Sequence, residues 1–181
     1  MLFRSGVVLL HGANGSGKTT VLRILAGALR PASGRVWCDR IRGAVGFLPQ
    51  QHGLFSALDI GANIETFQRL AGVPPCGRAS RARDAIACFG LQELLARRIG
   101  QLSIGQGRRA ALATVFASAG EVVLLDEPDT GLDAAGREAL GHAVVRHCAS
   151  GGAVMMTTHQ DAWIESLCGA SSIALLRSAP Q

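Results

Sequence analysis

At 181 residues, 48% of them apolar, the chain is long enough to bury one core without disulfides or metal, and no stretch approaches the roughly 18 uninterrupted apolar residues of a membrane-spanning helix. Five cysteines, odd in number and widely spaced, lack the close pair that clasps zinc and read as thiols of a reducing cytosol. The net charge of +5 comes from scattered arginines and reads as a solvated basic surface, with attraction to anionic lipid or nucleic acid as the alternative.

Taken in order, the apolar run from Gly6 to Leu10 follows a single positive charge and meets no small-residue cleavage pattern. It therefore reads as a buried strand rather than a secretory signal. A glycine loop follows, then Val21, Leu22, Leu25 and Leu29 at helical spacing. Pro31 to Gly34 supplies a turn, and Val36 and Ala44 to Leu48 predict further short strands ending at Pro49. From about 51 to 118 the texture is helical, broken at Gly72 to Gly77, and reads as a helical subdomain inserted into a core made of 1–50 and 119–181. A helix is predicted from Ser103 to Ser118, and Glu121 to Leu125 predicts a strand stopping at Asp126-Glu127-Pro128. A helix from Ala134 to Cys148, a Gly151-Gly152 turn and a strand from Ala153 to Thr157 complete the pattern. Alternating strands and helices predict a single α/β domain over 1–181. Its parallel sheet is covered on both faces, with ligands at the strands' carboxyl ends.

Gly12-Ala13-Asn14-Gly15-Ser16-Gly17-Lys18-Thr19 satisfies the phosphate-loop pattern and lies between a predicted strand and a predicted helix, as the mechanism requires. Lys18 is the only lysine in the chain. A sequence that otherwise uses arginine thus keeps a compact ammonium at the one place where a point charge must reach phosphate. Glycines let the main-chain amides curl around the phosphates, and the helix start, with Thr19 and Thr20, adds a favourable dipole. The Thr19 hydroxyl is the predicted magnesium ligand, so ATP and Mg2+ are the expected cofactors. The strand ending in two acids then delivers Asp126 to the metal and Glu127 to the water that attacks the γ-phosphate.

With these residues in place, the chain resembles the ABC ATPase family over nearly its whole length. Leu102-Ser103-Ile104-Gly105-Gln106 resembles the family's signature motif. The resemblance implies that Ser103, Gly105 and Gln106 bind ATP held by a second subunit. Asp129-Thr130-Gly131-Leu132-Asp133 looks like the loop joining two subunits, His159 in Thr157-Thr158-His159-Gln160 like the switch histidine, and Gln50 like the glutamine linking magnesium and water to the helical subdomain. Gln51 is the other alignment for that glutamine. Taken singly, His159 is a strand-end histidine, Gln50 loop filler, and Ser103 with Gln106 a capping box. The family order is what gives them roles.

The implied fold is a RecA-like P-loop core with an inserted helical subdomain and most of the N-terminal β-subdomain missing. The implied assembly is a head-to-tail dimer of cassettes, a homodimer being favoured. It would be bound to integral membrane transporter subunits on the cytoplasmic face of the inner membrane, with no nucleic acid as partner. Two departures stand out. Ile104 replaces the usual glycine, and the upstream aromatic that stacks on adenine is absent, Phe3 being too near the loop to replace it. Leu102 to Arg109, the Thr157 to Gln160 ending and Asn63 to Leu70 further resemble the ATP-binding subunit of the haem exporter of cytochrome c maturation. Other exporter or importer subunits, a soluble nucleic-acid or translation-associated ATPase and a non-hydrolysing cassette are the alternative readings.

Overall fold

The computed structural model describes residues 6–36, 44–51, 53–158 and 171–174, the last segment by its backbone. Five strands, β1 (Gly6–His11), β2 (Gly46–Leu48), β3 (Val122–Asp126), β4 (Ala153–Thr157) and β5 (Ser171–Ala174), form one sheet in the order β2-β3-β4-β1-β5. Every pairing in it is parallel. A parallel sheet needs cover on both faces, and the side chains sort accordingly. Val7, Leu9, Val123, Leu125, Val154 and Met156 enter the larger core. Leu10 and Leu124 turn the opposite way, onto Leu22. That alternation is the period of two that a strand imposes.

Leu22 belongs to α1 (Lys18–Leu25), whose apolar side covers the smaller core. The helix stops earlier than its apolar spacing predicts. Gly27 takes φ 73° just beyond the cap, the left-handed position that commonly ends a helix, and Leu29 lies 45% exposed. Val36, predicted as strand, is 47% exposed and joins none of the described strands. β5 has no counterpart among the predicted strands, and its four residues are too few to carry a periodic signal.

The other face is covered by helices. α2 (Ile60–Leu70), α3 (Pro75–Cys88) and α4 (Ile104–Ser118) pack on one another, with α5 (Ala134–Ala149) beside them over β1 and β4. α4 is the bridge. Its alanine-rich buried side contacts α2 and α3 and also runs against β2, where a Cβ on Gly46 would lie 2.7 Å from that of Ala119. Gln68, buried at 2% exposure, donates to the carbonyls of Arg78 (3.0 Å) and Ala117 (3.3 Å), fastening α2 to its neighbours. Asn63, fully buried, donates to the carbonyls of Phe55 and Asp59 and accepts from the Phe55 amide, fixing the loop before α2. Both residues lie in the segment whose resemblance points to the exporter subtype, and their visible task is structural.

Candidate functional site

Because β1 to β4 run parallel, their carboxyl ends reach one rim of the sheet, and each delivers a polar group there. β1 ends in the glycine loop, where Gly12, Gly15 and Gly17 take φ of 152°, 77° and 98°. At Gly15 and Gly17 these left-handed angles are ones that a side chain would strain. They turn the chain sharply into α1, whose first residue is Lys18. The Lys18 ammonium donates to the carbonyls of Gly12 (2.7 Å) and Ala13 (3.2 Å), and the Ser16 amide donates to Ala13 across the turn. The Ser16 hydroxyl is buried without a hydrogen-bond partner. Asn14, Gly15, Gly17, Lys18, Thr19 and Thr20 share one open cleft of about 500 Å³ with Gln50 and Glu127. Amides at a helix start together with an ammonium make this a binding site for anions.

β3 brings the acids. Asp126 is 2% exposed. Its Oδ1 accepts from the Thr157 hydroxyl at 2.9 Å, and its Oδ2 is buried with no partner. A buried carboxylate oxygen left in this way is costly unless a cation lies beside it. With the Thr19 hydroxyl on the same rim, the donor set of carboxylate and hydroxyl oxygen suits a hard divalent ion. The next residue, Glu127, has φ 48°, a left-handed conformation that costs a non-glycine residue of order 1–3 kcal/mol and clusters at functional sites. Its amide donates to Thr157 Oγ1 at 2.8 Å, so one hydroxyl from the end of β4 holds both acids. Gln50, just past β2, donates from Nε2 to Glu127 Oε2 at 3.3 Å. Of the two alternative glutamines, Gln50 is the one that lines the cleft, and Gln51 is exposed outside it.

The signature residues sit elsewhere. Ser103 caps α4, accepting from the Gln106 amide at 3.2 Å, while its own amide donates to Gln106 Oε1 at 3.0 Å. This is the reciprocal capping box. Neither residue lines the chain's own cleft, nor does Gly105. A Cβ on Gly105 would meet the Gly131 carbonyl oxygen at 3.0 Å, so the helix start and the loop 129–133 are closely packed. Ile104 is 85% exposed, with its Cγ2 on the Gly131 side. His159 lies outside the described residues.

Thr157 and Arg108 are residues to which the sequence reading gave no role. For Thr157 the signal was a hydroxyl ending an apolar strand level with the acids of its neighbour, since Asp126 and Thr157 are in register. Arg108 is 4% exposed near the start of α4. Burial pushes its guanidinium below the ordinary arginine range, and the charges of Asp126, Asp129 and Glu127 oppose that shift.

Comparison with known proteins places these features in a family. A family model described as ABC transporter matches residues 2–130. The cytochrome c biogenesis ATP-binding export protein CcmA of Novosphingobium aromaticivorans is 41% identical over 159 residues, covering 88% of this chain and 77% of that protein. The protein of the same name from Rhodospirillum rubrum is 39% identical, covering 97% of this chain and 76% of its own. Among solved structures, an ATP-binding subunit of an ABC transporter superposes with a TM-score of 0.85 at 21% identity, over 96% of this chain and 75% of that one. The ATP-binding cassette MJ0796, in a dimeric post-hydrolysis state with ADP and phosphate, superposes with a TM-score of 0.81 at 25% identity, over 97% and 83%. With a phosphate loop and paired acids meeting on one rim of a parallel sheet, and with relatives covered over three quarters of their length, the chain belongs to the ABC transporter family as an ATP-binding, ATP-hydrolysing subunit.

Proposed function

We propose that this subunit hydrolyses ATP with Mg2+ to power an exporter of haem in cytochrome c biogenesis. The convergence of Lys18, Thr19, Gln50 and Glu127 on one cleft, with Asp126 buried behind it, carries the catalytic half of this reading. The CcmA relatives carry the other half. Amides of the loop Gly12 to Thr20 wrap the triphosphate, and Lys18 exchanges its contacts with the Gly12 and Ala13 carbonyls for the β- and γ-phosphates. Thr19, Asp126 and Gln50 would hold Mg2+, which would supply charge neutralisation on the phosphates. Glu127 accepts the proton of the attacking water, a role worth roughly 10²- to 10⁴-fold. Gln50, bonded to Glu127, aligns that water, and His159 is assigned to the catalytic set on its likeness to the family's switch histidine.

Ser103, Gly105 and Gln106 lie off the chain's own cleft at the exposed start of α4. There they can face the ATP of a second, identical cassette, whose closure on nucleotide and reopening after hydrolysis would drive the partner. No helix among the described residues is long and apolar enough to cross a membrane. The CcmA relatives support a reading in which separate membrane subunits carry the cargo path and this chain sits peripherally on their cytoplasmic side. An apolar cleft of about 460 Å³ beside Gln50, lined by Phe47, Pro49, Leu54, Phe67, Leu70 and Val115 among others, offers them a surface. The test is a host deleted for this gene and supplied with wild-type protein or Lys18→Ala. Wild type should restore covalently haem-bearing cytochrome c, and the variant, which loses the phosphate-contacting charge, should not. Normal cytochrome c in the deletion strain would overturn the cargo assignment.

A further inference from the structure

Arg108 joins two segments that are far apart in sequence and adjacent at the reaction centre. It stands on α4, five residues beyond the cap Ser103, and is nearly fully buried. A guanidinium has five N–H donors in a fixed planar fork, and here five main-chain carbonyls receive them. Nε donates to Pro128 O at 3.2 Å. Nη1 donates to Pro49 O at 3.2 Å and to Gln50 O at 3.1 Å. Nη2 donates to Asp126 O at 2.9 Å and to Glu127 O at 2.5 Å. Every acceptor belongs either to the turn carrying Gln50 or to the turn carrying both acids.

The strands that lead into these two turns pair as far as Leu48 and Leu125, and Arg108 bonds the main chain of both turns beyond that pairing. Gln50 is exposed and reaches Glu127 by a long side-chain contact of 3.3 Å. Glu127 sits in a left-handed conformation that persists only where its surroundings over-determine it. Thr157 fixes the amide side of that residue, and Arg108 holds the carbonyl side. Removing the guanidinium would take a donor from all five carbonyls, of which Glu127 O keeps the Thr130 amide at 3.2 Å, and would loosen both turns.

We propose that Arg108 is a positioning residue that sets the geometry of Gln50 against Glu127 and transmits the attitude of the signature helix to the hydrolytic centre. It does not itself line the cleft, reaches the lining residues Gln50 and Glu127 only through their main-chain carbonyls, and has its hydrogen bonds away from the phosphate loop. Its loss therefore acts on turnover and leaves nucleotide binding by Lys18 in place. Lysine cannot substitute, because three donors on a flexible stem cannot serve five carbonyls in one plane. The proposal rests on the assignment of Glu127 as the hydrolytic base.

The experiment compares wild type, Arg108→Lys, Arg108→Ala and Glu127→Gln for ATP affinity by calorimetry and for phosphate release at saturating ATP. Arg108→Lys should bind ATP within about threefold of wild type while kcat falls roughly 10- to 100-fold, the signature of lost positioning rather than lost binding. Guanidinium ion at sub-denaturing millimolar concentration should restore part of the kcat of Arg108→Ala, and methylammonium should not. Should Arg108→Ala fail to fold, Arg108→Lys, which keeps charge and length, carries the test alone. Wild-type kcat in Arg108→Lys, or an ATP affinity that falls as far as kcat, would overturn the proposal. Wild-type turnover in Glu127→Gln would instead overturn the assignment beneath it.

Discussion

Thr157 shows how much one hydroxyl can organise. It donates to Asp126 Oδ1 and accepts from the Glu127 amide, and it is fully buried. Thr157→Val keeps the shape and removes both bonds, stranding a carboxylate oxygen and an amide. Each buried polar group so stranded costs about 1–3 kcal/mol. Denaturant titration should show a stability loss in that range, with phosphate release falling as well because Glu127 loses one of its holds. Unchanged stability would mean that the acids are held by something else. At this scale the sequence was most informative where chemistry restricts residue type. Lys18, Thr19, Asp126 and Glu127 could be named because a lone lysine in a glycine loop and two acids ending an apolar strand have few other uses. Arg108 and Thr157 could not, because a buried arginine bonded to carbonyls looks in sequence like any surface arginine.

At the scale of elements, the first turn of α4 combines an observed cap with a proposed contact. Ser103 and Gln106 form a reciprocal cap, and the proposed function gives the same serine a partner's ATP. The two roles separate in one variant. Ser103→Ala should cost about 0.5–2 kcal/mol of stability as a lost cap. If the serine also contacts nucleotide across a dimer, ATP turnover at saturating protein should drop far more than that loss explains. A variant that is slightly less stable and fully active would leave Ser103 as a cap alone. The strands β1, β3 and β4 and the helices α4 and α5 were legible because apolar runs or helical periods continued for at least five residues between turn signals. The end of α1 was misread. Leu29 continues the helical spacing, but the left-handed Gly27 stops the backbone two residues after Leu25, and backbone conformation outranks apolar period. Val36 joins none of the described strands, and one β-branched residue after a turn is a weak strand signal.

For the whole molecule, the parallel sheet does the assembling. Residues as distant in sequence as Lys18, Gln50, Glu127 and Thr157 share one rim because β1 to β4 all point the same way, and α4 ties that rim to the helical layer through Arg108. The class of fold was legible from alternation of element types alone. The strand order β2-β3-β4-β1-β5 was not, because order depends on crossovers whose helices leave no mark of their direction in one sequence. The proposed role of Glu127 is that of the base with which this rim cleaves ATP. It is tested most directly by single-turnover phosphate release from Glu127→Gln beside ATP binding by the same protein. The Glu127→Gln variant should bind ATP with wild-type affinity and release phosphate at least about 100-fold more slowly. Phosphate release at the wild-type rate would contradict it.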